Sequence, residues 1–305
     1  MNFQQLTYII KVDQLRHFAL AAKECHVTQP TLSMMIKKLE QELGVLIFDR
    51  TQKPIVPTSQ GKKVIEQAKV ILNQKNYLFE LIREEKETII GEVKIGIIPT
   101  VAPYLVPLFL QELTQKYPQL KLTIEELNTD SIIQQLRKGT IDIGLLATPL
   151  EEPNIKEWPL FYETFFVYTN KENEGQKKYI YPEEIDLDQL LLLEEGHCLR
   201  SQVLNLCQLQ KKQATNFSFK SGSLETLKRL VEVNQGITIL PELATKWTDK
   251  KRIIAFKAPA PQREISLVTH TSFIKNRILQ CIQEEIIQQL PEKVRQNQKV
   301  NVVAI

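Results

Sequence analysis

The chain has 305 residues, 43% hydrophobic and 25% charged, the balance of a soluble globular protein with room for two or three compact units. No run of about 18 apolar residues exists, so no membrane-spanning helix is expected. The opening MNFQQLTYIIKVDQLRHF lacks the cationic start, apolar run and small-residue cleavage site of a signal peptide, and the expected location is the cytoplasm. The formal net charge of +3 conceals an asymmetry, because residues 1–75 carry 11 Lys/Arg against 6 Asp/Glu and the remaining 230 residues sum to −2. The basic excess lies wholly in the N-terminal quarter, where a polyanion can meet it, although a charge excess alone also fits a solvated face. Four cysteines, Cys25, Cys198, Cys207 and Cys281, do not make a disulfide framework in a cytosolic chain. No C-x-x-C or H-x-x-x-H spacing occurs, and neither a metal nor a cofactor is expected.

Residues 3–15 place Phe3, Leu6, Ile9, Ile10 and Leu15 at helical spacing, and residues 17–23 form a second short helix whose Ala21-Ala22 pair admits a close neighbour. Cys25-His26-Val27 breaks the pattern. Thr28 is then a good N-cap, and Pro30 falls in the first helical turn, where its missing N–H costs nothing. The third helix, residues 29–43, turns Leu32, Met35, Ile36, Leu39 and Leu43 inward. It leaves Gln29, Thr31, Ser33, Met34, Lys37 and Lys38 outward. Polar and cationic side chains at the start of a second helix after a tight turn suit base edges and phosphates in a DNA major groove. Residues 44–50 and 55–58 read as two short strands whose tip, residues 51–54, forms a wing offering Lys53, with Arg50 at its base. The pattern also fits a three-helix bundle with a hairpin and no DNA role.

The run FALAAKECHVTQPTLSMMIKKLEQELGVLIFDRT, followed by Thr58-x-x-Gly61, resembles the DNA-binding domain of LysR-type transcriptional regulators almost position for position. The resemblance implies a winged helix-turn-helix over residues 1–58 that reads DNA through Thr28, Gln29, Pro30, Thr31, Ser33, Met34, Lys37, Lys38, Arg50 and Lys53. From Ser59 apolar residues recur every three to four positions to Ile82 with no Pro or Gly after Gly61, which predicts one long amphipathic helix. It is too long to be buried by a 60-residue domain, so residues 59–90 read as a linker and dimerisation helix, with a polar hinge at 83–88.

After Gly91 strand and helix patterns alternate. Strands are expected over 93–98, 122–125, 141–147, 165–169, 190–193, 217–220, 237–240 and 265–269. Helices are expected over 103–117, 130–138, 224–233 and 273–290. That order implies an α/β fold with a largely parallel sheet and helices on both faces. Two chain crossings divide it into lobe I, about 91–163 and 265–305, and lobe II, about 164–264. The arrangement resembles the two-lobed, periplasmic-binding-protein-like effector domain of the LysR family, whose ligands lie between the lobes. A free solute-binding protein would lack the N-terminal motif.

The segment LLLLEEGHCLRSQVLNLC sets Cys198 after Gly196-His197 at an expected helix start, with Arg200 nearby and Cys207 nine positions on. Free N–H groups at such a start favour a thiolate. This segment, together with IGIIPTVAPYLVP, SLETLKRLVEVNQGITILP and the Arg263 strand, resembles the peroxide-sensing OxyR-type branch of the LysR family over essentially the whole chain. The resemblance implies that Cys198 attacks hydrogen peroxide to give a sulfenic acid. It places Thr100, Thr129 and His197 around the peroxide, gives Arg263 the thiolate charge to hold, and has Cys207 close a disulfide. Ser201 stands where many such proteins carry Asp. Geometry then demands refolding. In a helix the two cysteines lie about 13 Å apart along the axis, in a strand about 30 Å, and a disulfide needs Cα atoms within about 7 Å. The implied partners are operator DNA, peroxide, RNA polymerase and further copies of the chain as a dimer or tetramer. Two other readings are a LysR-type regulator answering a small-molecule inducer in the cleft, and a thiol-dependent peroxidase.

Overall fold

The computed structural model describes residues 1–83, 89–170, 179–207, 222–233 and 236–305. The expected hinge at 83–88, Arg83 apart, and the strand expected over 217–220 lie outside them. The chain divides into one unit of residues 1–87 with 272–275 and another of 88–271 with 276–305.

In the first unit local signals dominate. Helix α1 (Phe3–Leu15) starts from a capping box made by Asn2 and Gln5, and α2 (Phe18–Glu24) starts at His17, whose Nδ1 accepts from Leu20 N. Helix α3 (Gln29–Leu43) begins at Thr28, whose hydroxyl accepts from Thr31 N at 3.3 Å. It ends at Gly44, with φ of 68°, a left-handed cap that glycine adopts without a Cβ clash. Leu32, Ile36 and Leu39 are fully buried against Leu6, Ile9, Val12 and Ala21. Leu43, expected inward, is 39% exposed, because the helix end outruns the core. The wing is shorter than the pattern suggests, only β1 (Phe48–Asp49) against β2 (Val56–Pro57). Buried Glu40 sets its position, accepting from Ile47 N at 2.8 Å and Phe48 N at 3.3 Å.

Helix α4 (Ser59–Arg83) follows, about 37 Å long at 1.5 Å per residue. Ile65 and Ala68 are buried in the first unit's core, whereas Val70 and Leu78 are exposed. Its first turn explains the Thr-x-x-Gly motif. The Thr58 hydroxyl donates to Leu46 O and accepts from Gly61 N, and a Cβ at residue 61 would come within 1.9 Å of Ile47 O. Replacing Gly61 with Ala is therefore expected to destabilise this unit by about 1–3 kcal/mol, the usual cost of overpacking. A denaturant melt reporting on residues 1–83 checks this; an unshifted midpoint would refute it.

The second unit opens with β3 (Gly91–Ile97), α5 (Ala102–Lys116), β4 (Leu120–Glu126), α6 (Thr129–Lys138) and β5 (Ile143–Thr148). β3 pairs in parallel with both β4 and β5. The strand expected over 165–169 is the end of a longer one, β6 (Ile155–Thr169). After it come β7 (Tyr179–Ile180), α7 (Cys198–Leu206), α8 (Leu224–Glu232), β8 (Ile237–Pro241) and β9 (Ile253–Phe256). The chain returns through β10 (Gln262–His270) and finishes with α9 (Asn276–Gln289) and α10 (Glu292–Gln296).

The sheet order is β4-β3-β5-β10-β6-β9-β7, with β8 also on β6. It is mixed rather than largely parallel. β10 runs antiparallel to β5 and β6, and β6 runs antiparallel to β8 and β9. The cause is the double crossing, since a strand leaving one lobe and a strand returning to it must run in opposite directions. Residues 190–193 contribute only a single bridge, Leu190 to Ile237.

Candidate functional site

Cys198 is the first residue of α7 and is 5% exposed. Four neighbours act on its sulfur. They are the guanidinium of Arg263 on β10, the Thr129 hydroxyl at the start of α6, and the backbone amides of Leu199 and Ala147. Thr100 lies just beyond β3 and Ala147 near the end of β5, so the cluster gathers at the C-terminal ends of the parallel strands, where α/β sheets place their sites.

The electrostatics differ from the sequence expectation. Burial pushes the Cys198 thiol above the ordinary cysteine range, and Arg263, Thr129 and the two amides only partly offset it. The Leu199 amide at the helix start favours the thiolate, but by less than burial disfavours it. Burial, helped by Glu183, also pushes the Cys207 thiol up, to about 11. The rate of peroxide attack is accordingly expected to rise about tenfold per pH unit from 6 to 8, since only the thiolate attacks. Stopped-flow measurement decides this, and a flat profile would contradict it. The stability consequence has the matching sign. A thiol raised on folding favours the folded state below the cysteine range, and that contribution fades as pH climbs through it.

Arg263 lies inside the domain in an ion pair of its own. It is 1% exposed and its Nε donates to Glu163 Oε1 at 2.8 Å, with Glu163 fully buried directly across the β6–β10 ladder. Its Nη1 donates to the Thr100 hydroxyl at 3.0 Å and its Nη2 to Thr100 O at 3.1 Å. Thr100 thus accepts from Arg263 and keeps its own O–H to donate. The Thr129 hydroxyl is buried, lies against the thiol, and makes no regular hydrogen bond among the described residues.

His197 and Ser201 are not among the groups acting on the Cys198 sulfur. The His197 ring lies near Glu194, Nε2 to Oε1 at 3.8 Å, and against Gly222, where a Cβ would come within 2.8 Å of Nε2. It lines a cavity of about 480 Å³ with Tyr104, Asn128 and Glu225. Ser201 is exposed, one helical turn after Cys198 on α7. Arg200 donates to Leu193 O rather than serving the thiol. Cys207 is half-buried and caps the far end of α7, its N–H donating to Val203 O at 3.1 Å, so the two thiols stand about 13 Å apart along one helix. Glu163 escaped the sequence reading, because a single carboxylate in YETFF looks solvent-facing.

In the first unit, Gln29, Pro30, Thr31, Met34, Lys37 and Lys38 lie exposed on α3, Thr28 at its cap and Lys53 on the wing. Ser33 is half-buried and accepts from Arg50 Nη1 at 3.3 Å. Arg50 also pairs with Glu40 at 3.0 Å and stacks over Phe18 at 5.2 Å, so it braces the wing against α3. Among the described residues, no group of three His, Cys, Asp or Glu could hold a metal ion, and no helix is long and apolar enough to cross a membrane.

Two family models match the chain. The model of the bacterial regulatory helix-turn-helix protein, lysR family, matches residues 3–62, and that of the LysR substrate binding domain matches residues 86–290. The DNA-binding transcriptional dual regulator OxyR of Escherichia coli K12 is 36% identical over 272 residues, covering 88% of this chain and 89% of the relative. A full-length OxyR from Pseudomonas aeruginosa with a cysteine replaced by aspartate superposes with a TM-score of 0.80 at 34% identity, over 98% of this chain and 99% of that one. A Corynebacterium glutamicum OxyR with a cysteine replaced by serine, bound to hydrogen peroxide, gives a TM-score of 0.62 at 30% identity, over 94% and 92% of the two chains. The chain belongs to the LysR family of transcriptional regulators and, within it, to the OxyR-like group.

Proposed function

We propose that this protein is a DNA-binding transcriptional regulator of oxidative-stress genes that senses hydrogen peroxide through Cys198 and Cys207. The observation that carries the reading is the buried Thr129 hydroxyl, which faces the buried Cys198 sulfur and has no other hydrogen-bond partner among the described residues. A buried polar group is normally satisfied, and a small hydrogen-bonding solute at the sulfur would satisfy this one. Thr100, with its O–H to donate, and Arg263 supply the remaining polarity.

The Cys198 thiolate attacks one peroxide oxygen. An S–O bond forms, the O–O bond breaks, and the departing hydroxide takes a proton to leave as water. The Cys207 sulfur then attacks the sulfenic sulfur, forming S–S and breaking S–O with loss of a second water. One peroxide and two thiols give one disulfide and two waters. Because the thiols sit at opposite ends of α7, the second step requires that helix to unwind. Residues 1–58 read the operator, and α4 joins two copies through its exposed apolar positions, so that two α3 helices meet half-sites about one helical turn apart. Unwinding of α7 changes the surface through which effector domains pair, which re-spaces the DNA-binding units for RNA polymerase. The protein works in the cytoplasm as a dimer or tetramer and is not an enzyme.

The inducer reading has the 480 Å³ cavity beside His197 in its favour. Peptide mapping without reductant, before and after one equivalent of peroxide, separates the two. The expected result is a Cys198–Cys207 cross-link two hydrogens lighter than the reduced pair, with an altered DNA-shift pattern. An unchanged map with an intact DNA response would sink the peroxide reading.

A further inference from the structure

Residues 297–305 follow α10 as an extended segment laid beside the crossing strand β10. Val302 bridges Gln262 in parallel, Gln262 N donates to Asn301 O at 2.8 Å, and Val303 N donates to Gln262 O at 2.8 Å. Asn301 Nδ2 donates to Pro259 O at 3.1 Å, and Val300 N donates to Gln262 Oε1 at 3.2 Å. The segment is therefore anchored at the residue next to Arg263. From there it reaches α7. Gln202 Nε2 donates to Val303 O at 3.3 Å and Asn205 Nδ2 to Ala304 O at 3.2 Å. Gln202 is fully buried, and its Oε1 has no partner among the described residues.

We propose that residues 301–305 form a clasp that holds α7 helical and so sets the threshold at which the Cys198–Cys207 disulfide closes. The inference rests on the redox reading above. Gln202 and Asn205 are three residues apart and share one helix face, so both meet the segment only while α7 is wound. Bringing Cys198 to Cys207 destroys that spacing and strips the buried Gln202 amide of its acceptor. A group that binds one state and not the other stabilises the state it binds, and the clasp binds the dithiol. Gln202 and Asn205 are positioning residues in this scheme, since neither touches the reacting sulfur.

Two such hydrogen bonds together are worth about tenfold or more in an equilibrium constant. Deleting residues 302–305 from the full chain is expected to speed amide exchange over the 202–207 stretch of the reduced protein about tenfold. It is also expected to make the Cys198–Cys207 couple harder to reduce by about tenfold, or about 30 mV, in a thiol–disulfide buffer. The disulfide-closing phase after peroxide should quicken while the first, sulfur-oxidising phase holds its rate. Asn205→Ala gives the same signs with smaller size and serves if the deletion fails to fold. Unchanged exchange, or an unchanged potential and closing phase, overturns the clasp, as does a first phase that quickens along with the second. If exchange quickens but the intact chain never forms the disulfide under peroxide, the redox reading fails and the threshold fails with it.

Discussion

Replacing Cys198 with serine is expected to abolish the peroxide-driven change in DNA footprint while leaving binding by the reduced protein intact. The substitution removes the sole nucleophile in the cluster, since Arg263, Thr100 and Thr129 can polarise a peroxide but cannot take its oxygen. It is also nearly isosteric, so α7 keeps its first residue and its backbone bonds. The matching Cys207→Ser variant should still oxidise at Cys198 but stop at the sulfenic acid. Footprints at graded peroxide, with a sulfenic-acid trap on both variants, provide the check. A Cys198→Ser protein whose footprint still shifts with peroxide would place the sensor elsewhere.

The second large effect belongs to Arg263. Arg263→Met leaves Glu163 charged in a fully buried site, and breaking one half of such a pair costs about 3–5 kcal/mol. Loss of stability alone would not prove a role in the chemistry. The double variant Arg263→Met with Glu163→Leu separates the two, since replacing a whole buried pair by apolar groups is close to neutral. It should regain most of the stability but remain at least about tenfold slower with peroxide, because each unit that the thiol rises costs tenfold in thiolate. Urea denaturation and stopped-flow rates on the three proteins supply the numbers. A double variant as fast as the unaltered protein would reduce Arg263 to a structural role.

Legibility in the sequence followed locality. The first unit reads off its N-caps, with Thr28 and Pro30 opening α3 where the structure does, because capping chemistry lies within one turn of the residues it affects, whereas Gly44, read as the start of a strand, is the helix's C-cap. Strand β6 was visible only as its last five residues. Pro159 interrupts the alternation, and the structure absorbs it at a register shift in the β6–β10 ladder, opposite Ser266. Buried carboxylates were harder still. Glu40 and Glu163 are charged letters on amphipathic elements, and only distant partners, the Ile47 and Phe48 amides and Arg263, explain their burial. Cys198 was singled out by resemblance, but the burial that pushes its thiol up was not legible, since desolvation depends on what packs over it. The grip of residues 303 and 304 on Gln202 and Asn205 leaves no local trace, as polar residues on a helix read as wet.

The two crossing strands have a mechanical consequence. β6 runs unbroken for 15 residues, about 50 Å, and pairs with β10 from Gln262 to His270. Both lobes are built on this one ribbon, and Arg263–Glu163 rivets it where they join. Swinging the lobes like a clamshell would have to twist that ladder, which ties lobe motion to the Arg263–Glu163 pair. In the proposed redox cycle, oxidation of Cys198 would act on α7 beside this ribbon.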